Sequence, residues 1–241
     1  MIVLFTDFGL EGPYTGQINA VLQRSAPSVP IIQLFADAPS ARPKPAAYLL
    51  AAYAEWFQPG SVLLCVVDPG VGGDRRPVIA EAGGRLYVGP DNGLFEIVLR
   101  RGARPLLWEI GWRPQSLSMS FHGRDLFAPV AAQLARGTPP RDLAQPIEIV
   151  PRAEWPDDLP EIVYIDHYGN ALTGLRGESL AASARLCAGE RRIAAAQTFS
   201  AVPVGAAFWY VNSNGLIEIA VNSGRADVAL NLAVGTPVTI E

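Results

Sequence analysis

The sequence predicts an α/β N-terminal domain with a mostly parallel sheet, plus a smaller antiparallel, β-barrel-like C-terminal domain. Three observations predict it. Through Ala135, short continuous apolar runs alternate with helically spaced segments, the pattern of strands covered on both faces by crossover helices. From Gly137 to Pro160 there are six prolines and little periodicity, which reads as a linker. Beyond it, short strands with turn signals between them follow one another without a long helical pattern. The expected domains are residues 1–150 and 158–241.

Ile2 to Phe5 is a β-branched and aromatic run that stops at Thr6-Asp7-Phe8-Gly9, where a buried parallel strand ends and its loop begins. Tyr14, Ile18, Val21 and Leu22 have helical spacing, Pro27 ends that helix, and Val29 to Phe35 reads as a second strand. Pro43 and Pro45 suit a helix start, Ala46 to Phe57 continues it, and Pro59-Gly60 breaks it. Ser61 to Val67 is another continuous apolar strand, again ending at an aspartate, Asp68. Val78 to Ala82 and Arg85 to Val88 are strands around the turn Gly83-Gly84, and the loop Gly89 to Gly93 opens a helix through Leu99. A helix from Asp125 to Ala135, with Gly137 behind it, closes this part. In the C-terminal part the strands are Glu161 to Asp166, Ala184 to Ala188, Arg191 to Ala195, Ala207 to Asn212, Leu216 to Val221 and Pro237 to Ile240, a small barrel or sandwich.

Composition narrows the function. Of the 241 residues only 17% are charged, below the roughly 25% usual in soluble proteins, so part of the surface is expected to be covered by other subunits. The net charge of −4 is spread along the chain and offers nothing to a polyphosphate backbone; no nucleic-acid partner is expected. The longest uninterrupted apolar stretch, Ala46 to Ala54, is far short of the roughly 20 residues that span a bilayer, and no basic leader precedes the first strand. The expectation is a soluble, cytoplasmic protein without a membrane partner. Cys65 and Cys187 lack C-x-x-C spacing and are expected to be buried thiols. With only two histidines and no ligand spacing, no metal site is expected.

The polar residues concentrate in loops after apolar strands, where open α/β sheets place ligands. Asp7 sits at a strand end among small neighbours; one carboxylate suits two vicinal ribose hydroxyls, and it equally suits a helix cap or a loop anchor. The segment Asp68-Pro69-Gly70-Val71-Gly72-Gly73-Asp74-Arg75-Arg76 is a glycine-rich loop with an acid at its start and bases at its end, read either as a ligand loop or as a solvated turn with an ion pair. Phe121-His122-Gly123-Arg124-Asp125 places a histidine just before a helix start, where an imidazole titrates or orients a nucleophile. Asn92 lies near a helix N-terminus, as suited to capping as to binding. In the C-terminal part, Asp166, Asn170, Ser213 and Asn222 are ordinary turn residues that also match what an amino-acid head group and an adenine edge require. A G-x-G-x-x-G fingerprint, a phosphate loop and a G-x-S-x-G elbow are all absent, which argues against dinucleotides, triphosphates and serine-hydrolase chemistry.

Taken together, five segments in order resemble the S-adenosyl-L-methionine hydroxide adenosyltransferase family, relatives of the fluorinating and chlorinating enzymes that use the same substrate. They are Thr6-Asp7-Phe8-Gly9, Val67-Asp68-Pro69-Gly70-Val71-Gly72, Gly89-Pro90-Asp91-Asn92-Gly93-Leu94-Phe95, Phe121-His122-Gly123-Arg124-Asp125-Leu126-Phe127-Ala128-Pro129 and Ile165-Asp166-His167-Tyr168-Gly169-Asn170. The resemblance covers nearly the whole chain and implies hydrolysis of S-adenosyl-L-methionine to adenosine and L-methionine, by attack of water or hydroxide on the ribose 5′ carbon, with no cofactor. The family's Asp, Arg and His triad falls on Asp68, Arg75 and His122, with Arg76 as the rival for the arginine. By the same resemblance Asp7 holds the ribose hydroxyls, Asp166 and Ser213 the methionine head group, Asn170 and Asn222 the adenine, and Asn92 belongs to the substrate site. It also implies a homotrimer with each site between the N-terminal domain of one subunit and the C-terminal domain of the next.

The chain departs from the family pattern at Gly12, where relatives carry Asp, and at Phe35-Ala36-Asp37-Ala38, which lacks the usual histidine. These departures put substrate affinity in question and motivate one alternative, a non-catalytic protein that binds adenosine or S-adenosyl-L-methionine. The other alternative, a halide-transferring enzyme of the same family, is less favoured, since the long insertion of fluorinating relatives is not evident between Arg75 and Val88 and the triad is intact.

Overall fold

The computed structural model describes residues 1–181, 183–189 and 191–241. The chain divides into two compact units, one of residues 1–50 and 54–152, the other of residues 51–53 and 153–241.

The first unit is built on a seven-stranded sheet. Its elements are β1 (Ile2–Thr6), α1 (Tyr14–Ser25), β2 (Ile31–Phe35), α2 (Pro43–Ala54, of which residues 51–53 group with the second unit), β3 (Val62–Val66), β4 (Pro77–Ala82), β5 (Arg85–Pro90), α3 (Glu96–Arg101), β6 (Leu106–Ile110), α4 (Ala128–Ala135) and β7 (Ala144–Ile147). The strand order is β2-β1-β3-β5-β4-β6-β7. Because β1, β2, β3 and β5 pair in parallel while β4, β6 and β7 each pair antiparallel with the strand before them in that order, β2, β1, β3, β5 and β6 point one way and β4 and β7 the other. β1 and β3 are buried along their whole length, as continuous apolar runs in the middle of a parallel sheet must be. One face is covered by α1 and α4, which share a core of Ile18, Leu22, Val130 and Leu134 with Leu4 and Leu64 of the strands. The hairpin joining β4 and β5 turns on Gly83 and Gly84, both at positive φ, the geometry that matches strand twist in a two-residue loop.

Several boundaries differ from expectation. α2 starts at Pro43, as a proline with no N–H to leave unbonded suits, but stops at Ala54 rather than Phe57. The helix expected from Asp125 is α-helical only from Ala128; residues Gly123–Phe127 form a π-helical turn. β6 was not foreseen, and the expected linker contains a 3-10 turn, Pro140–Asp142, and β7. β7 lies at the sheet edge, where Pro146 removes no ladder bond that the sheet needs.

The second unit is antiparallel throughout its two sheets. Its strands are β8 (Leu159–Ile165), β9 (Ala171–Arg176), β10 (Arg185–Ala188), β11 (Arg191–Ala194), β12 (Ala207–Val211), β13 (Leu216–Val221) and β14 (Val238–Ile240), with the one-turn helix α5 (Ala226–Ala229) before the last. One sheet has the order β12-β13-β9-β8 and the other β11-β10-β14. Ile162, Leu186, Trp209, Ile217 and Ile219 form the core of this unit. β9 escaped the sequence reading. Its Ala171 and Gly174 carry little strand preference, yet Gly174 is where the chain closes on β8: a Cβ there would stand 2.6 Å from Leu159 Cβ. Cys65 is buried as expected, whereas Cys187 is only half-buried, because it faces outward from the short strand β10.

Candidate active site

The register of the parallel strands brings two acids together. Thr6 of β1 pairs with Val66 of β3, and the Asp7 N–H bonds the Val66 carbonyl at 3.3 Å, so Asp7 and Asp68 leave neighbouring strand ends side by side. They line a cavity of about 180 Å³ at this end of the sheet, with Phe8, Phe121 and His122 on its other walls. The Phe8 and Phe121 rings pack edge to face at 5.6 Å, which gives the cavity an apolar rim.

Asp68, Arg75 and His122 form one connected group. Arg75 Nε donates to Asp68 Oδ1 and Oδ2 at 3.1 and 3.0 Å, and Nη2 donates to Oδ2 at 2.6 Å. The same Nη2 lies 2.7 Å from His122 Nδ1. The side chains of Asp68 and Arg75 are only 4% and 10% exposed, so the pair is desolvated and its geometry is held. Arg75 is also stacked over the Phe127 ring, 5.3 Å from its centroid. Arg76, the rival in sequence, turns the other way to Asp91, in an exposed pair with Nε donating at 2.9 Å. The loop that carries Arg75 back to Asp68 turns at Gly72. With φ at +79° and a would-be Cβ 2.5 Å from the Met119 carbonyl oxygen, this position admits only glycine.

A guanidinium has no acceptor, so in this contact Arg75 is the donor and His122 Nδ1 the acceptor. The neutral ring therefore carries its proton on Nε2, a buried atom with no hydrogen-bond partner among the described residues. Burial, and next the Arg75 charge, hold the His122 pKa below its ordinary value. Asp7 is shifted the opposite way: burial raises its pKa, and the nearby Asp68 charge adds to that, against the Ala41 N–H that donates to its Oδ2 at 2.9 Å. Asp68 and His122 both line the cavity, and Arg75 ties them together without being one of its lining residues.

Of the two readings of Asn92, the geometry matches the main-chain one. Its Nδ2 donates to the Val67 carbonyl at 2.8 Å and its Oδ1 accepts from the Leu94 N–H at 3.2 Å. Both halves of the amide are engaged by main chain, so Asn92 secures the residue before Asp68 and does not line the cavity. At the first departure from the family pattern, Gly12 has φ at +96°, a conformation that a side chain would strain.

The second unit has its own cavity, about 780 Å³, lined by Asp166, Asn170 and Ser213 among the expected residues. Asp166 Oδ1 accepts from the Asn170 N–H at 2.8 Å, and Oδ2 from Asn170 Nδ2 at 3.1 Å. Asn222 is not on this wall: its Nδ2 donates to the Val202 carbonyl at 2.8 Å and holds a loop, while the adjacent Ser223 faces the cavity. The sequence reading missed Tyr53, Phe199, Tyr210 and Glu218 among the lining residues. Glu218 had a visible signal, as the one charged residue in the otherwise apolar run Leu216 to Val221. It is 5% exposed; its Oε1 accepts from Tyr210 Oη at 2.5 Å and its Oε2 from Asn212 Nδ2 at 2.9 Å.

Among the described residues, no group of three or more His, Cys, Asp or Glu side chains is arranged to hold a metal ion, and no helix is long and apolar enough to cross a membrane.

Residues 2–144 match the model of the SAM hydroxide adenosyltransferase N-terminal domain, and residues 160–239 that of its C-terminal domain. A Thermus thermophilus protein named (R)-S-adenosyl-L-methionine hydrolase is 39% identical over 99% of this chain and 98% of its own length. A protein of the same name from Salinispora arenicola is 36% identical over 98% of this chain and 95% of its own. Among solved structures, an uncharacterized conserved protein from Thermotoga maritima superimposes with a TM-score of 0.91 at 30% identity, covering both chains completely. A conserved hypothetical protein from Thermus thermophilus gives 0.78 at 36% identity, covering 100% of this chain and 99% of that one.

Proposed function

Since this chain belongs to the SAM hydroxide adenosyltransferase family, we propose that it hydrolyses S-adenosyl-L-methionine to adenosine and L-methionine through the Asp68, Arg75 and His122 group. The observation that carries the reading is the buried, hydrogen-bonded union of these three side chains beside a cavity that also presents Asp7. A water oxygen forms a bond to the ribose 5′ carbon, the carbon–sulfur bond breaks, and its electron pair stays on sulfur, turning the sulfonium into the neutral thioether of methionine. The leaving group already carries a positive charge, so the protein's task is to align and partly desolvate a weak nucleophile, and the step needs no cofactor.

The roles follow from who donates to whom. His122 Nδ1 is occupied by Arg75, and its Nε2–H is a donor, so the imidazole orients the water and does not take its proton. Asp68 is the acceptor of that proton, and Arg75 acts through both neighbours, fixing the carboxylate and the tautomer. Asp7 has two acceptor oxygens for the ribose hydroxyls. In the second cavity Asp166 and Ser213 meet the methionine head group and Asn170 the adenine. The relatives are named for the (R) sulfonium, which supports that epimer as the substrate here. A homotrimer, with the N-terminal unit of one subunit meeting the C-terminal unit of the next, is supported by the low charged fraction and by exposed apolar residues such as Leu10, Tyr14 and Met119. Two unpaired thiols suit the cytoplasm.

The test is incubation of the purified protein with each sulfonium epimer in halide-free buffer, with separation of the nucleosides formed. Adenosine without halide is expected. A 5′-halogenated nucleoside appearing only with added halide would move the chain to the halogenating relatives, and binding without any product would make it a non-catalytic binder.

A further inference from the structure

A turn of residues 212–215 joins β12 to β13, and the register of the two strands sets Tyr210 directly opposite Glu218. Ser213 and Asn214, at the tip of this turn, line the second cavity. The main chain closes the turn, with the Asn212 N–H donating to the Leu216 carbonyl at 2.8 Å and the Gly215 N–H to the Asn212 carbonyl at 3.0 Å. The Asn212 side chain fastens the tip. Its Oδ1 accepts from the Asn214 N–H at 2.9 Å and the Leu216 N–H at 3.1 Å, while its Nδ2 donates to Glu218 Oε2 at 2.9 Å. Tyr210 Oη donates to the other carboxylate oxygen. Asn212 and Glu218 are 9% and 5% exposed, so water is a poor substitute for a lost partner. Turning the amide over would set its oxygen against the carboxylate and its N–H₂ group against two main-chain donors.

We propose that Glu218 is a positioning residue for the amino-acid end of the substrate: by holding the Asn212 amide one way round, it fixes the turn that presents Ser213. The inference rests on the reading above that Ser213 meets the methionine head group. Asp166 and Asn170 are bonded to each other on a separate turn, after β8, and do not depend on this link. Loss of the Glu218 acceptor therefore costs a ligand that carries the amino-acid chain more than one that lacks it.

The test compares kcat/KM of the full-length protein for S-adenosyl-L-methionine and for 5′-dimethylsulfonio-5′-deoxyadenosine, in which a methyl group replaces the amino-acid chain. The native protein is expected to prefer the first by about tenfold or more. Glu218→Met, which offers Asn212 no acceptor, is expected to cut that ratio at least severalfold, and Asn212→Ala, which removes the same link from its other end, to do likewise. Glu218→Gln retains the ratio, because its amide oxygen accepts from Asn212 Nδ2 while its nitrogen donates to the Tyr210 hydroxyl. A merely structural role would slow both sulfoniums alike in Glu218→Met and Asn212→Ala, and an unchanged ratio there overturns the proposal. Collapse of the ratio in Glu218→Gln also overturns it, since the charge of Glu218 would then be acting on the ligand itself. Equal use of the two sulfoniums by the native protein overturns it too, and needs no variant to fold. Failure of the underlying reading is seen separately, as a native protein that forms adenosine from neither sulfonium.

Discussion

Arg75 Nη2 donates to His122 Nδ1 at 2.7 Å while the same nitrogen holds Asp68 at 2.6 Å, so one guanidinium sets both the tautomer of the imidazole and the direction of the carboxylate. The arrangement separates neighbours that look equivalent in sequence and ranks the groups by what their removal leaves behind.

Removing Arg75 leaves Asp68 buried without its partner. Arg75→Ala is expected to lower kcat by about 10²-fold or more and to destabilise the fold by about 3–5 kcal/mol, the cost of stranding one member of a buried pair. Arg76→Ala breaks only an exposed pair, worth about 0–1 kcal/mol, and should leave kcat within about twofold of native. Rate assays and denaturant melts of the two variants side by side check this; equal losses would remove the distinction.

His122 is held neutral by burial and by Arg75, so its folded-state pKa lies below the ordinary 6.5. The unfolded chain binds this proton more readily, and stability is therefore complete above about pH 6.5 and declines as pH falls from there through the folded-state pKa. The rate should fall over the same acid range, since a protonated Nδ1 cannot accept from Arg75. In His122→Asn the pH-dependent part of both profiles in that window should shrink, measured as kcat and as melting temperature between pH 5 and 8. These limits span the range in which histidine titrates.

Asp7 has its pKa raised by burial, which means its charge is carried at a cost when the site is empty. That cost is absent at low pH and present once the pH exceeds the folded-state pKa. Asp7→Asn is accordingly expected to raise the melting temperature at pH 7 while raising KM by about tenfold or more, through loss of a charged acceptor for the ribose hydroxyls. A variant that is less stable and binds normally would contradict both parts.

Gly72→Ala places a methyl group 2.5 Å from the Met119 carbonyl oxygen at a backbone φ of +79°. The backbone term alone is about 1–2 kcal/mol, and the clash adds to it. Because the displaced loop carries Arg75, kcat should fall while KM changes little, which single-turnover and steady-state assays separate.

Much of the first unit was legible because strands buried on both faces must be apolar along their length: β1 and β3 are unbroken runs that end in acids. β7 and β9 were not, since Pro146 and Gly174 are read locally as breakers and only a sheet edge or a close strand approach makes them acceptable. The site was legible in the same uneven way. Asp7, Asp68, His122, Asp166, Asn170 and Ser213 line the two cavities, but Asn92 and Asn222 are engaged by main chain instead, and Glu218 was passed over.

By itself the sequence determined the kinds of element and their order, the acids at strand ends, the glycine-rich loop and the ordered motifs of the family, all of which are local properties of residue type and spacing. Tertiary structure alone decided that Arg75 rather than Arg76 joins Asp68 to His122, and that Glu218 rather than Asn222 faces the second cavity. The reason is that adjacent residues point in different directions, and which of them meets a partner depends on the register and approach of segments far apart in the chain.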